Sequence, residues 1–188
     1  MIWGNGALWL GGVLAVAWFA VSAVRRRRVV APGLEAALIF YAFGLISVTL
    51  FPMLLGSSDA SWRTLAMSVN LIPFQSIREV TAIGPYQTLR QLGGNLVLLA
   101  PLGVLAPSLY SGRRTLRSLL ALALSVAVTI EALQLAELLV GVAHFRAVDI
   151  DDIILNVLGA AIGFGVWLAL RALTNKCFQP THARATLN

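Results

Sequence analysis

Residues Gly4–Val24 read GNGALWLGGVLAVAWFAVSAV and run straight into Arg25, Arg26, Arg27 and Arg28. The stretch carries no charged side chain. At about 1.5 Å of rise per residue it is long enough to cross a hydrocarbon core of about 30 Å. The arginines follow the apolar run instead of preceding it, and no small-residue cleavage site is evident. A retained membrane helix is therefore expected, not a cleaved leader.

Four further stretches continue the pattern: Leu34–Leu55, Gly94–Tyr110, Leu119–Val140 and Asp152–Leu173. Pro32 and Gly33 break the chain before the second, and Pro52 falls near its end. The third is short and contains Pro101 and Pro107. The expectation is an all-α polytopic membrane protein with about five transmembrane helices. A single transmembrane domain over 1–175 is followed by a tail over 176–188.

Composition agrees. Hydrophobic residues make up 59% of the 188 positions and charged residues 12%, against roughly 25% charged in soluble domains. The net charge of +6 does not indicate nucleic-acid binding, because the basic residues flank apolar spans. Such clusters mark the cytoplasmic ends of membrane helices. With the four-arginine run inside, Arg113, Arg114, Arg117, Arg171, Lys176 and Arg184 are inside too. Ten of the 14 basic residues are then cytoplasmic, and only Arg63, Arg78, Arg90 and Arg146 lie outside. The charge bias predicts an N-out, C-in protein of the plasma membrane.

The only cysteine, Cys177, excludes an intramolecular disulfide. His144 and His182 are the only histidines and Cys177 is on the other side, which argues against zinc. No phosphate-binding loop or nucleophile elbow is present, and no cofactor is expected. The loop 56–93 is too long for a simple turn. It opens on Gly56-Ser-Ser-Asp59, and its second half is expected to lie in the outer interface, helical from about Ile77.

Polar residues within the spans need individual explanations, since a charge at the bilayer centre costs roughly 2.5–3.5 kcal/mol even on insertion scales. Glu131 lies about 14 Å below the outer end of its helix by helical rise. Gln134 follows at i+3 on the same face. Glu131 is either a neutral helix–helix contact or a group that binds or transfers a proton. The last span opens RAVDIDDIILN, from Arg146 to Asn156. Asp149, Asp152 and Asn156 share one helical face, and Gly159 and Gly163 permit close packing near it. Asp149 is a good N-cap, and first-turn acids suit the helix dipole. Asn156, about 10 Å further in by helical rise, is not explained that way. Glu131 and Asn156 are expected to meet, with Arg146 pairing an aspartate at the rim. Asn95 adds a polar group at the outer end of the third helix. Pro101-Leu-Gly103 weakens that helix, which suits either a cavity wall or a packing kink. Asp149, Asp151 and Asp152 could hold a hard cation only with ligands from elsewhere.

Several of these motifs, in this order, resemble the VanZ family: Asn70-Leu-Ile-Pro-Phe74, Gly94-Asn95 with Pro101-Leu-Gly103, Glu131 with Gln134, and Arg146 through Asp149-Ile-Asp-Asp152 to Asn156-Val-Leu-Gly159. The likeness covers about the last two-thirds of the chain. Ala100 stands where many relatives have an aromatic residue before the proline. The resemblance implies a polytopic membrane protein and a link to low-level resistance to teicoplanin, a lipid-tailed glycopeptide. It supplies no biochemical mechanism.

Three functions follow as expectations. The first is a pocket in the outer leaflet that binds or modifies a cell-envelope lipid or lipidated antibiotic. Glu131 would be its proton-handling or hydrogen-bonding group, Arg146 would hold an anionic head group, and Asn70, Asn95, Gln134 and Asn156 would orient the ligand. The second is acid–base catalysis on a lipid or cell-wall precursor, with Glu131 and an aspartate, Asp149 or Asp152, as the pair. The third is a purely structural protein. Membrane lipids are the expected partners, with no nucleic acid.

Overall fold

The computed structural model describes residues 5–26, 30–51, 69–140 and 148–177. Arg146, His144 and Pro52 lie outside the described residues, as do loop residues 56–68 and the tail from 178. Five helices are long and apolar enough to cross a membrane. Helix α1 spans Asn5–Arg26 and α2 spans Val30–Leu50. A two-residue strand β1 (Val69–Asn70) leads into α3 (Gln75–Ile83) and a short helical turn α4 (Pro85–Thr88). One π-helical turn, Leu89–Gly93, then joins α5 (Gly94–Leu109). Helix α6 is Leu116–Leu139, strand β2 is Val148–Asp149, and α7 is Ile150–Cys177.

The third span runs from Pro85 to Leu109, so it begins nine residues before the Gly94 that hydropathy suggests. Glycine, glutamine and arginine dilute the apolar signal over 84–94, yet the backbone stays helical by widening at Leu89–Gly93. Helix α3 starts at Gln75, two residues before Ile77. Pro101 and Pro107 both sit inside a continuous α5. The backbone irregularity of this span is the π turn, not the proline-glycine motif.

Glycine sets the centre of the bundle. Helices in lipid gain little from hydrophobic burial against each other, so close backbone approach supplies their attraction. A methyl on Gly159 would stand 1.9 Å from the Leu96 carbonyl oxygen, and one on Gly163 2.0 Å from that of Ala100. On the facing helix, a methyl on Gly103 would stand 2.2 Å from the Ala160 carbonyl oxygen. Helices α5 and α7 thus touch backbone to backbone. Fully buried Ala123, Ala127 and Ala160 extend this close packing to α6, around Leu99. Nearer the other end, Leu102, Ala106, Leu119, Phe164 and Trp167 form a second cluster.

Helix α2 joins this core through the Tyr41 hydroxyl, which donates to the Leu98 carbonyl at 2.8 Å. Helix α1 packs chiefly on α2, where Gly11 seats Phe43 and Trp18 Nε1 donates to Glu35 at 2.7 Å. Trp9, Val13, Val16, Val128, Ile162 and Val166 are exposed on the outside of the bundle. A bilayer solvates such a surface, as water would not.

Candidate functional site

The acidic end of the bundle is organised by the chain entering α7. Strands β1 and β2 pair in parallel, setting Val69 against Val148 and Asn70 against Asp149. Asp149 then turns into the helix. Its Oδ1 accepts the Asp151 backbone N–H at 2.9 Å, an N-terminal cap. The same oxygen accepts from Asn70 Nδ2 at 3.1 Å. Asn70 Nδ2 also donates to Ser76 Oγ at 2.8 Å, and its Oδ1 accepts the Ile72 N–H at 3.1 Å.

The Asn70–Phe74 motif now has a physical reading. Gln75 N–H closes a turn on the Ile72 carbonyl at 3.2 Å. Pro73 holds the second position, and Phe74 the third with φ 65° and ψ 9°. This is the pattern of a type II turn, normally glycine at that third position. The Phe74 N–H donates to Asp151 Oδ1 at 2.5 Å and the Ile77 N–H to Asp151 Oδ2 at 3.2 Å. Asp151, 1% exposed, therefore caps α3 from α7. Its charge meets the positive end of a helix that has no side-chain cap of its own.

Glu131 is buried in α6 at 5% exposure, and its Oε2 accepts the Asp149 backbone N–H at 3.0 Å. This bond links the β1–β2 corner to a cavity of about 290 Å3 between α2, the π turn, α5, α6 and α7. Asn95, Glu131, Gln134, Asp152 and Asn156 all line it. Asn95 Nδ2 donates to Asp152 Oδ1. Gln134 Nε2 donates to the Thr49 carbonyl at 3.0 Å, tying α6 to α2. Asn156 is 1% exposed, and its Oδ1 has no hydrogen-bond partner among the described residues.

Five of the expected site residues thus share one cavity. Asn70 and Asp149 do not line it and belong to the corner that holds Glu131. Arg146 lies outside the described residues. Within α7, Asp152 and Asn156 reach the cavity from positions four apart, while Asp149, just outside the helix, turns to Asn70. The three aspartates have separate partners. Among the described residues no group of three His, Cys, Asp or Glu side chains is placed to hold a metal ion.

Arg90 and Gln91 also line the cavity. Sequence reading placed Arg90 only in a loop, because nothing in LRQLGG announces a π turn. Arg90 is the one cationic lining residue among those described. Glu137, buried at 7%, carries no such signal either. Near the end of an apolar helix it reads as interfacial.

Chemically, the cavity offers two carboxyl groups, a guanidinium, and amide donors and acceptors on an otherwise apolar bundle. It can hydrogen-bond a polar group and place a proton-exchanging carboxyl beside it. A family model described as VanZ/LLP1 matches residues 38–171. The match spans every cavity residue and omits α1. No curated protein and no solved structure matches the chain.

Proposed function

The chain belongs to the VanZ/LLP1 family, and from that premise we propose that its cavity receives the polar head of a cell-envelope amphiphile. The candidates are a lipid head group and a lipidated glycopeptide of the teicoplanin type, the latter contributing to resistance. One observation carries this reading. Among the described residues Asn156 Oδ1 is buried and unpaired, and leaving such an acceptor unsatisfied costs about 1–3 kcal/mol. A ligand O–H or N–H would satisfy it. Arg90 would take an anionic group of the ligand, and Glu131 and Asp152 its hydroxyl or amino groups. Asn95 and Gln134 would hold the wall in register. The cavity would face the outer leaflet of the plasma membrane, following the arginine bias.

Because Glu131 and Asp152 line the same cavity, acid–base catalysis on a bound lipid or cell-wall precursor is the second reading. One experiment separates the two. A deletion strain is complemented with wild type, Glu131→Gln or Asn156→Ala at matched expression. Teicoplanin susceptibility, lipids and cell-wall precursors are then measured. Binding predicts changed susceptibility with unchanged precursor pools, lost in both variants. Catalysis predicts altered pools that one carboxylate substitution abolishes. Both variants matching wild type in every readout would sink the pocket altogether.

A further inference from the structure

A second cavity, of about 340 Å3, lies at the opposite end of the bundle, against Val104, Pro107, Ser108, Trp167, Arg114 and Arg171. Its two arginines come from different elements, the α5–α6 connection and α7. Both are anchored. Arg114 Nε donates to the Pro107 carbonyl at 3.3 Å. The Arg171 guanidinium stands 5.4 Å from the centre of the Trp167 ring, within cation–π range. Trp167 is buried and packs on Phe164 at 5.2 Å between ring centres, so the platform under Arg171 is fixed. With Nε of Arg114 engaged, its terminal nitrogens remain to donate elsewhere. The hydroxyl of Ser108 is already committed to the Val104 carbonyl at 2.7 Å. No carboxylate lines this cavity among the described residues. Two guanidiniums with no counter-charge among the described residues, beside apolar walls on a membrane-embedded bundle, call for a ligand that is anionic at one end and apolar at the other.

We propose that this cavity binds the phosphate of an anionic phospholipid, clamped between Arg114 and Arg171, with the acyl chains lying along α5 and α7. Guanidinium forks match phosphate oxygens in geometry as well as charge. Basic pockets between spans on the arginine-rich side suit such head groups. The site is separate from the acidic cavity and does not depend on how that cavity functions.

The test uses the full chain in phosphatidylcholine nanodiscs. Phosphatidylglycerol is titrated in and its retention counted by native mass spectrometry. The variants are Arg114→Gln/Arg171→Gln and a control pair with the same loss of charge, Arg25→Gln/Arg117→Gln. The cavity pair should weaken phosphatidylglycerol binding by at least about tenfold, since each lost charge-assisted contact alone is worth about that much, while the control pair changes it less than about twofold. If the Gln pair fails to fold, Arg114→Lys/Arg171→Lys replaces it. That pair keeps the charge and loses the fork, and it should still bind several-fold more weakly than wild type. Equal losses in the cavity and control pairs would mean diffuse charge attraction and overturn the proposal. Inorganic phosphate displacing the lipid at equal concentration would assign the site to a soluble anion and overturn the lipid source.

Discussion

Asp151 accepts the backbone N–H of Phe74 at 2.5 Å across 77 positions of sequence, so the first turn of the last span caps a helix that precedes three of the spans. The same carboxylate takes the Ile77 N–H. Buried charges persist in membranes where such partners exist. Here the partners are backbone amides at a helix start, which supply partial positive charge as well as hydrogen bonds.

Asp151→Ala should therefore destabilise the protein by about 3–6 kcal/mol, the loss of two hydrogen bonds to a charged group at about 1.5–3 kcal/mol each. Asp151→Asn keeps one acceptor and should cost about half as much. Unfolding in detergent measures the total. Proteolysis restricted to residues 69–83 in Asp151→Ala would identify α3 as the part released. An unchanged cleavage pattern would count against the cap.

Phe74 occupies left-handed backbone space, with φ 65°, at a cost of about 1–3 kcal/mol for a non-glycine residue. Its side chain is 54% exposed, so little packing is lost on removing it. Phe74→Gly should match or exceed the wild-type unfolding midpoint. Phe74→Val should lower it, because a β-branched residue fits that region worst. The reverse ranking would show that the ring matters more than the backbone.

The three glycines between α5 and α7 should not tolerate a methyl. Gly163→Ala and Gly159→Ala each set a Cβ near 2 Å from a carbonyl oxygen, and overpacking costs typically about 1–3 kcal/mol. Gly165 has nothing within 4 Å of its added Cβ. Gly165→Ala should be neutral, or stabilising by up to about 1 kcal/mol through helix propensity. Thermal unfolding of the three variants side by side checks the contrast.

Asn156→Leu removes a buried acceptor that is unsatisfied among the described residues and keeps the branched side-chain shape, its extra bulk accommodated by the adjoining cavity. It should leave stability unchanged or raise it by about 1 kcal/mol, while abolishing any envelope phenotype conferred by wild type. Loss of stability together with the phenotype would make Asn156 a structural residue.

The residues along the chain determined the class of this protein without help. Twenty-residue apolar runs can do little else than span a bilayer, since only helices satisfy their own backbone there. The same rule made Glu131 and Asn156 conspicuous, because a polar group at that depth needs a partner. Gly159 and Gly163 were legible as a packing face for the same reason. The sequence could not say which acid does what. Asp149, Asp151 and Asp152 look alike in DIDD, yet one caps its own helix, one caps α3 and one meets Asn95 at the cavity. That division depends on what each side chain faces after the β1–β2 pairing sets the register. Arg90 is the plainest example of the remainder. Hydropathy left it in a loop, and only the π turn, one extra residue of helical winding before α5, brings it to the cavity wall.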